Sequence, residues 1–315
     1  MFSLKQPKNI IIGKNSANQF EYPDNSLLIT SKGAKTRGWI EYLNFNNNGM
    51  IFDQVENNPS MNTVDNIIQK FSKNDFSCVI GLGGGSCLDV AKYVGFKLNK
   101  RKILVPTTFG SGSEVTRISV LKINGEKKSF HDDQLLANIA IIDPFFIKNT
   151  PFEILRNSAI DACAQCTEAY DSLSSNVFTR FLCNNAFDIL ENSLLNNKYD
   201  ELAYGALISG LGFGNSSTTL GHALSYVFSN EGISHGHALA FTTMIAHKFN
   251  NSKFFTRFKK LVLTLNFPPI SLKKNIEDAA FIIQKDKKHL DNNPKPVTTS
   301  DIIKLLSSIN SQKTL

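Results

Sequence analysis

The fold of this chain is decided by the stretch Val79-Ile-Gly-Leu-Gly-Gly-Gly-Ser-Cys-Leu-Asp-Val-Ala-Lys92. An apolar strand runs here into three consecutive glycines and then into an amphipathic helix. Glycines let a phosphate approach the backbone, and the free amides at a helix start point their donors at an anion, as does Ser86. A dinucleotide pyrophosphate suits such a turn. The same glycine run is also typical of an ordinary strand-to-helix connection, and it lacks the spacing of the Rossmann fingerprint.

A second loop rich in glycine and hydroxyl groups follows, with the sequence Val105-Pro-Thr-Thr-Phe-Gly-Ser-Gly-Ser-Glu-Val-Thr116. This loop begins at the end of another short apolar strand, at residues 102–105. Two such loops at the ends of neighbouring strands can hold one nucleotide, so the pair favours nucleotide binding over a simple turn.

Length and composition are those of a globular enzyme, since 315 residues at 42% hydrophobic can form two domains with separate cores. The 5 cysteines follow no regular framework, which indicates reduced thiols. The net charge of +7 suits an anionic ligand and equally a lysine-rich solvated surface. No basic stripe is interleaved with aromatic residues, and no apolar run is long enough for a membrane span. We therefore expect neither a nucleic acid partner nor a membrane.

The order of the predicted elements indicates the fold class. The first half contains short β-branched runs between helical patterns, at residues 9–13, 26–30, 49–52, 78–80, 102–105 and 137–142. After Pro151, helical periodicity dominates, at residues 160–170, 177–194, 202–212 and 302–306. We predict an α/β dinucleotide-binding domain at residues 1–150 and an all-helical metal-binding domain at 151–315, with the ligand in the cleft between them.

The helical half contains candidate metal ligands. Asp161 and Gln165 are one helical turn apart and project from the same face. His222, His235 and His237 follow within a short segment, and the turn at residues 230–232 should separate two helices that present imidazoles to one point. From the residues alone, packed or exposed histidines are the favoured interpretation, with a metal site as the alternative.

The motif Gly83-Gly-Gly-Ser86 with Asp89 and Lys92, together with the Pro-Thr-Thr loop, resembles the metal-dependent, iron-containing alcohol dehydrogenase family. The resemblance extends from about Val79 to the Asn293-Pro294 region. It implies the dehydroquinate synthase-like architecture, with an α/β nucleotide-binding domain followed by an all-α domain. It also implies an NAD(P)-dependent oxidoreductase that acts on alcohols and aldehydes.

The family binds its metal, Fe²⁺ or Zn²⁺, through one aspartate and three histidines. Asp161, His222 and His235 match three of these positions, and Gln165 stands where the family has a histidine. An amide oxygen is a weaker donor than imidazole to such a metal, which puts metal affinity and metal identity in question. The neighbouring Cys166 points about 100° further around the helix, so we interpret it as a core residue.

The resemblance also implies roles for residues at the nucleotide and the reacting carbon. It places Gly84, Gly85, Ser86 and Asp89 near the pyrophosphate, and Thr107, Thr108, Ser111 and Lys128 around the ribose and nicotinamide. Ser31 and Lys32 stand where NAD-preferring relatives often have an aspartate, which favours NADP(H) over NAD(H). His237 is the candidate for alkoxide protonation, with water or a structural role for His237 as alternatives.

The substrate expected from the resemblance is a small aldehyde or alcohol. The sequence segments 222–226 and 232–238 are more similar to the branch of the family that reduces phosphonoacetaldehyde to 2-hydroxyethylphosphonate than to its simple-alcohol branches. That similarity implies an anionic substrate. We further expect a cytoplasmic homodimer.

Two alternative functions remain from the sequence. One is a sugar-phosphate lyase or polyol-phosphate dehydrogenase of the wider dehydroquinate synthase-like group, which shares the two-domain plan. The other is a non-catalytic nucleotide-binding homologue, which is considered because Gln165 stands in place of a metal-binding histidine.

Overall fold

The computed structural model describes residues 1–45, 50–148 and 150–311. The chain divides into two compact units, Met1–Thr150 and Pro151–Leu315. Residue 49 of the predicted strand 49–52 and residues 312–315 of the predicted helical domain lie outside the described residues.

The N-terminal unit has the predicted α/β class. Its strands are β1 (Asn9–Ile12), β2 (Ser26–Ile29), β3 (Ile51–Phe52), β4 (Cys78–Gly83), β5 (Arg101–Pro106), β6 (Ile118–Ile123), β7 (Glu126–His131) and β8 (Ile139–Ile142). Its α-helices are α1 (Ser16–Gln19), α2 (Lys32–Thr36), α3 (Trp39–Tyr42), α4 (Met61–Phe71) and α5 (Gly85–Lys97).

Six of these strands form one parallel sheet in the order β1-β8-β5-β4-β2-β3. All residues of β2, β4 and β8 are buried, as expected for strands covered on both faces. The order places β4 in the interior of the sheet, between β5 and β2. The carboxyl ends of β4 and β5 therefore lie side by side, and the two glycine-rich loops both start from that edge.

The two remaining strands form an antiparallel hairpin that the sequence analysis did not predict. β6 pairs with β7 from Ile118 opposite His131 to Ile123 opposite Glu126. The turn is Asn124-Gly125, in which both residues have positive φ angles of 52° and 83°. This dipeptide is the usual signal for a two-residue hairpin turn.

The C-terminal unit is helical, as predicted. Its α-helices are α6 (Phe152–Asp171), α7 (Val177–Leu195), α8 (Leu202–Phe213), α9 (Leu220–Asn230), α10 (His235–Asn250), α11 (Phe255–Thr264), α12 (Ile276–Gln284), α13 (Lys287–Leu290) and α14 (Thr299–Asn310). Among the described residues, none of these helices has both the length and the apolar character that a membrane span requires.

Local sequence explains where several helices begin and end. Asn176 and Thr298 each form a reciprocal capping box, at the starts of α7 and α14. The predicted break between α9 and α10 is confirmed, and Gly232 adopts a φ angle of +96° in it. His222 and His235 therefore lie on separate helices.

Gly236 permits a close approach of α10 to α6. A Cβ atom at this position would lie 1.8 Å from the backbone oxygen of Asn157 in α6. The amide of Asn157 also donates a hydrogen bond of 3.0 Å to the Ser234 hydroxyl, just before α10. The contact fixes the start of α10, where His235 lies, against the helix that carries Asp161.

We expect Gly236→Ala to lower the free energy of unfolding by about 3 kcal/mol or more, because backbone atoms must move to admit the methyl group. Denaturant titration of the variant measures this loss. Lys248→Ala, on the exposed side of the same helix, is the matched control and should have little effect. Wild-type stability in Gly236→Ala would show that the two helices are not in close contact here.

Candidate functional site

The first glycine-rich turn joins the end of β4 to the start of α5. Gly83 has a φ angle of +147°, and Gly84 occupies the N-cap position of the helix without a side-chain cap. The first amides of α5 are thus available to an anion at the helix start. Since the helix dipole is positive at this end, the turn fits a phosphate group.

The second glycine-rich loop packs directly against this turn. A Cβ atom at Gly84 would lie 2.9 Å from the Thr108 hydroxyl, and one at Gly85 would lie 2.8 Å from the Ser111 hydroxyl. The backbone amide of Thr107 donates a hydrogen bond of 3.0 Å to the carbonyl of Gly83. The structure therefore brings together the glycines and hydroxyls that the sequence indicated, and larger residues in place of these glycines would close the gap.

Asp89 contributes to this region indirectly. Its carboxylate accepts hydrogen bonds from the Ser113 hydroxyl at 2.6 Å and from the amide of Val120 at 3.0 Å, and it pairs with the Lys92 ammonium at 3.1 Å. Lys92 is fully buried, and burial lowers its pKa although Asp89 opposes the shift. Asp89 therefore anchors the loop that carries Ser111, whereas its predicted contact with a pyrophosphate stays a prediction.

We expect Asp89→Asn to weaken nucleotide binding about tenfold, because loss of the carboxylate charge leaves Lys92 without its ion pair and loosens the Ser113 anchor. Fluorescence titration with NADPH and NADH gives the dissociation constants. Lys97→Gln, at an exposed position of α5, serves as the control. An unchanged dissociation constant in a folded Asp89→Asn protein would contradict this role.

The remaining nucleotide candidates have different surroundings. Ser86 accepts a hydrogen bond of 3.3 Å from the Asn58 amide, which leaves its own hydroxyl hydrogen for a ligand. Lys128 lies opposite Leu121 in the hairpin with an exposed side chain, and its role at the ribose stays a prediction. Ser31 and the exposed Lys32 lie at the start of α2, after β2, and the preference for NADP(H) inferred from them stays a prediction.

The C-terminal unit gathers the predicted metal ligands from three helices. We call Asp161, Gln165, His222 and His235 the four-residue cluster; α6 supplies the first two, α9 supplies His222 and α10 supplies His235. One ligand atom each from Asp161, His222 and His235 lies within 4.8 Å of the other two. The Nε2 atom of His222 is 3.7 Å from Oδ1 of Asp161. These distances leave room for one ion between them.

Gln165 completes this arrangement from within α6. Its amide nitrogen donates a hydrogen bond of 2.9 Å to Oδ1 of Asp161, whereas its Oε1 atom is buried without a hydrogen-bond partner. A buried acceptor without a partner costs on the order of 1–3 kcal/mol. A cation beside Asp161 would remove that cost, so the residues present fit a divalent metal ion.

Glu168 holds His222 in position, and the sequence analysis did not identify it. Its buried carboxylate lies 2.5 Å from Nδ1 of His222 and accepts backbone hydrogen bonds from Thr219, Gly221 and His222. Because an ionised carboxylate only accepts, Nδ1 must carry a proton, and Nε2, on the side of Asp161, is the nitrogen left for a metal ion. A carboxylate behind a histidine is the usual support of a metal ligand.

The charges around His222 favour a cation. Burial alone would lower the pKa of His222, but the carboxylates of Glu168 and Asp161 outweigh it and raise the pKa to about 9. The pocket therefore stabilises a positive charge on the Nε2 side of the ring. A divalent metal ion would take the place of that proton, since metal ligands bind in their deprotonated form.

Aromatic rings surround the cluster. The ring centroids of His222 and His235 are 5.6 Å apart, and Tyr226 stacks on His235 at 6.0 Å. His289 lies parallel to His222 at 6.3 Å between ring centroids and is buried. No short-range sequence signal connects His289 to the cluster, because it comes from α13, far along the chain.

His237 is not brought to the cluster. Its Nε2 atom lies 2.6 Å from the carbonyl of Pro268, and its ring contacts Phe241 and Phe267. Two residues along a helix correspond to a rotation of about 200°, which directs His237 away from the side of His235. Its part in proton transfer stays a prediction that this geometry does not favour.

His247 and the two cysteines of α6 lie in buried surroundings. His247 is buried and 2.8 Å from the Thr167 hydroxyl, and burial lowers its pKa to about 4. Cys163 and Cys166 are buried free thiols, and burial raises the pKa of both. They are therefore core residues.

Two family profiles match the chain, one for each unit. Residues 7–144 match the profile described as iron-containing alcohol dehydrogenase, and residues 156–285 match that of the C-terminal domain of the Fe-containing alcohol dehydrogenase family. The chain belongs to the iron-containing alcohol dehydrogenase family. The matches on both units confirm the resemblance drawn from the glycine-rich loops.

Curated relatives in this family have known activities. The chain is 34% identical over 209 residues to 4-hydroxybutyrate dehydrogenase of Clostridium kluyveri. The matched residues cover 57% of this chain and 56% of the relative. The chain is 27% identical over 246 residues to sulfoacetaldehyde reductase of Bilophila wadsworthia, covering 69% and 62%. The chain thus spans little more than half the length of the relatives it matches.

Solved structures of the family share the fold. A crystal structure of an iron-containing alcohol dehydrogenase has a TM-score of 0.90 at 22% identity, with 99% of both chains covered. Sulfoacetaldehyde reductase from Bifidobacterium kashiwanohense, in complex with NAD+, has a TM-score of 0.88 at 21% identity, with 99% of both chains covered. At such identities the likeness concerns the fold, and the predicted architecture is confirmed.

Proposed function

We propose that this protein is a metal-assisted, NAD(P)-dependent alcohol dehydrogenase that works as an aldehyde reductase on a small substrate. The observation that carries the proposal is the four-residue cluster, in which the buried Oε1 atom of Gln165 lacks a partner beside the Asp161 carboxylate. Family membership supports the reaction class.

The two bound groups would supply the chemistry of this reaction. A bound nicotinamide nucleotide exchanges a hydride with the substrate carbon, and a bound divalent metal ion acts as a Lewis acid on the substrate oxygen. Asp161, His222 and His235 would hold the metal, with Gln165 as a neutral fourth ligand. One carboxylate, two imidazoles and an amide suit Fe²⁺ or Zn²⁺.

The N-terminal unit would bind the nucleotide. The amides at the start of α5 would hold the pyrophosphate, and Ser86, Thr108 and Ser111 would add hydroxyl contacts. NADP(H) is favoured over NAD(H), because the exposed Lys32 can attract a 2′-phosphate where no carboxylate repels it. The homodimer and the cytoplasmic location expected from the sequence stay predictions.

The substrate we propose carries an acidic group, with phosphonoacetaldehyde as the first candidate. Two relatives have names that specify such compounds, 4-hydroxybutyrate and sulfoacetaldehyde. The net charge of +7 would attract such an anion at long range.

The test starts with protein purified without chelators. Elemental analysis gives the metal content, and the oxidation of NADPH and NADH is followed with phosphonoacetaldehyde, sulfoacetaldehyde and simple aldehydes. The assay is repeated after the metal is removed and after Fe²⁺ or Zn²⁺ is added back. Near-stoichiometric metal and turnover that the metal restores support the proposal.

A variant separates weak metal binding from an absent activity. Gln165→His supplies an imidazole in place of the amide and should bind metal more tightly than wild type. Tight nucleotide binding without turnover in either protein, at any metal concentration, would instead identify a non-catalytic homologue. A bound NAD that turns over without net reduction would identify a lyase of the dehydroquinate synthase-like group.

A further inference from the structure

His289 is a buried histidine beside the four-residue cluster that no sequence motif assigns to a function. The residue is 5% exposed, and its ring lies parallel to His222 at 6.3 Å between centroids and 5.7 Å from the ring of Tyr226. His289 lies near the cluster but does not belong to the group formed by Asp161, His222 and His235, whose ligand atoms are within 4.8 Å of one another. His289 is therefore a neighbour of the candidate metal site and not one of its ligands.

The orientation of the His289 ring is fixed by Asp286. Nδ1 of His289 lies 2.7 Å from Oδ2 of Asp286, and the other carboxylate oxygen accepts the backbone amide of His289 at 3.4 Å. An ionised carboxylate accepts, so Nδ1 carries the proton and Nε2 presents its lone pair. In the part of the chain that the structure describes, this carboxylate is the hydrogen-bond partner of the ring.

The backbone after α13 is tied to the start of α9. The side-chain amide of Asn292 donates to the carbonyls of Ser216 at 2.9 Å and Thr218 at 3.1 Å, just before the helix that carries His222. The carbonyl of Asn292 also accepts a hydrogen bond of 3.0 Å from Leu173, beyond the end of α6. These bonds hold α13, and with it His289, at a fixed place beside the cluster.

We propose that His289 binds the substrate at the metal centre, with Nε2 accepting a hydrogen bond from the hydroxyl group of the alcohol. The ligand class is a primary alcohol whose oxygen lies at the four-residue cluster. Asp286 acts through His289 as a positioning residue, because it keeps the proton on Nδ1. This inference deepens the proposed dehydrogenase function and rests on it. His237 is a poor rival for this role, because its Nε2 atom is occupied by Pro268.

The test measures alcohol binding without turnover. Holoenzyme loaded with metal and NADPH cannot oxidise an alcohol, so calorimetric titration with 2-hydroxyethylphosphonate or 1-propanol reports binding alone. His289→Phe keeps a ring but has no acceptor, and we expect the dissociation constant of the alcohol to rise about three- to tenfold. Metal content and NADPH affinity should stay at the wild-type level. Lys287→Gln, at an exposed position of α13, is the matched control.

Asp286→Asn provides a second variant if His289→Phe folds poorly. An amide at this position can donate to Nδ1, which moves the proton to Nε2 and removes the acceptor. Alcohol binding should weaken here too, while the rings keep their sizes. Wild-type alcohol affinity in both folded variants would overturn this inference and leave the proposed function intact. No alcohol binding by metal-loaded wild type would overturn the proposed function, and this inference with it.

Discussion

Replacing Asp161 with Asn is expected to leave the protein with far less than one metal ion per chain and to lower kcat/KM by on the order of 10³-fold. Asp161 is the one anionic member of the four-residue cluster, whose other members are Gln165, His222 and His235. Asparagine keeps the side-chain volume and can still accept the hydrogen bond from Gln165, so the variant changes mainly the charge. Elemental analysis and steady-state kinetics measure the two effects.

The matched control for this variant is Asp188→Asn. Asp188 is a carboxylate of α7 that pairs with Arg257 at 2.7 Å, and its side chain is half-exposed. This control should retain its metal and its activity. Stoichiometric metal in Asp161→Asn, with activity near wild type, would show that the cluster does not hold the catalytic metal.

Glu168→Gln is expected to weaken metal binding about 10- to 100-fold, although Glu168 would not itself touch the metal. A glutamine amide that donates to Nδ1 of His222 would move the ring proton to Nε2, where the lone pair is needed. The variant also loses an acceptor for the backbone amides of Gly221 and His222. Calorimetry with a competing chelator gives the metal affinity, and ¹⁵N NMR of labelled histidine reports the tautomer.

Glu191→Gln is the control for the removal of a carboxylate from this unit, because Glu191 of α7 pairs with Arg257 of α11. We expect it to leave the His222 tautomer and the metal affinity unchanged. If Glu168→Gln kept both the tautomer and the wild-type affinity, Glu168 would be a structural carboxylate only. Thermal unfolding of both variants separates such a structural effect from a loss at the site.

The sequence was most predictive where local chemistry determines structure. Three glycines between an apolar strand and an amphipathic helix allow few conformations, and the turn at Gly83–Gly85 appears as predicted. The break before His235 could likewise be predicted from Gly232. Asp161 and Gln165 face one point because a single helix carries both.

The hairpin of β6 and β7 was missed although its signal was present. Asn124-Gly125 lies directly between β6 and β7, and both residues adopt the left-handed conformation that such turns require. The lysine-rich sequence of β7 concealed the pattern, because an exposed strand carries few apolar residues.

The residues that surround and position the cluster were harder to predict from the sequence. Glu168 could have been identified, since it lies seven residues after Asp161 and thus on the same face of α6. His289 could not, because its place beside His222 results from tertiary packing of α13 against α9. His237 shows the opposite error, in which closeness in sequence to His235 was taken for closeness in space.

The origin of the cluster in three helices has a thermodynamic consequence. Asp161 is far from the two histidines in the sequence, and Asp161, His222 and His235 meet only when α6, α9 and α10 are packed together, so the unfolded chain offers no comparable site. A ligand that binds only the native state stabilises it by RT ln(1 + [L]/Kd), which is about 2.7 kcal/mol at a hundredfold excess over Kd. Added Fe²⁺ or Zn²⁺ should therefore raise the Tm of the protein in proportion to the logarithm of its concentration, and melting curves alone would rank the two metals without any substrate.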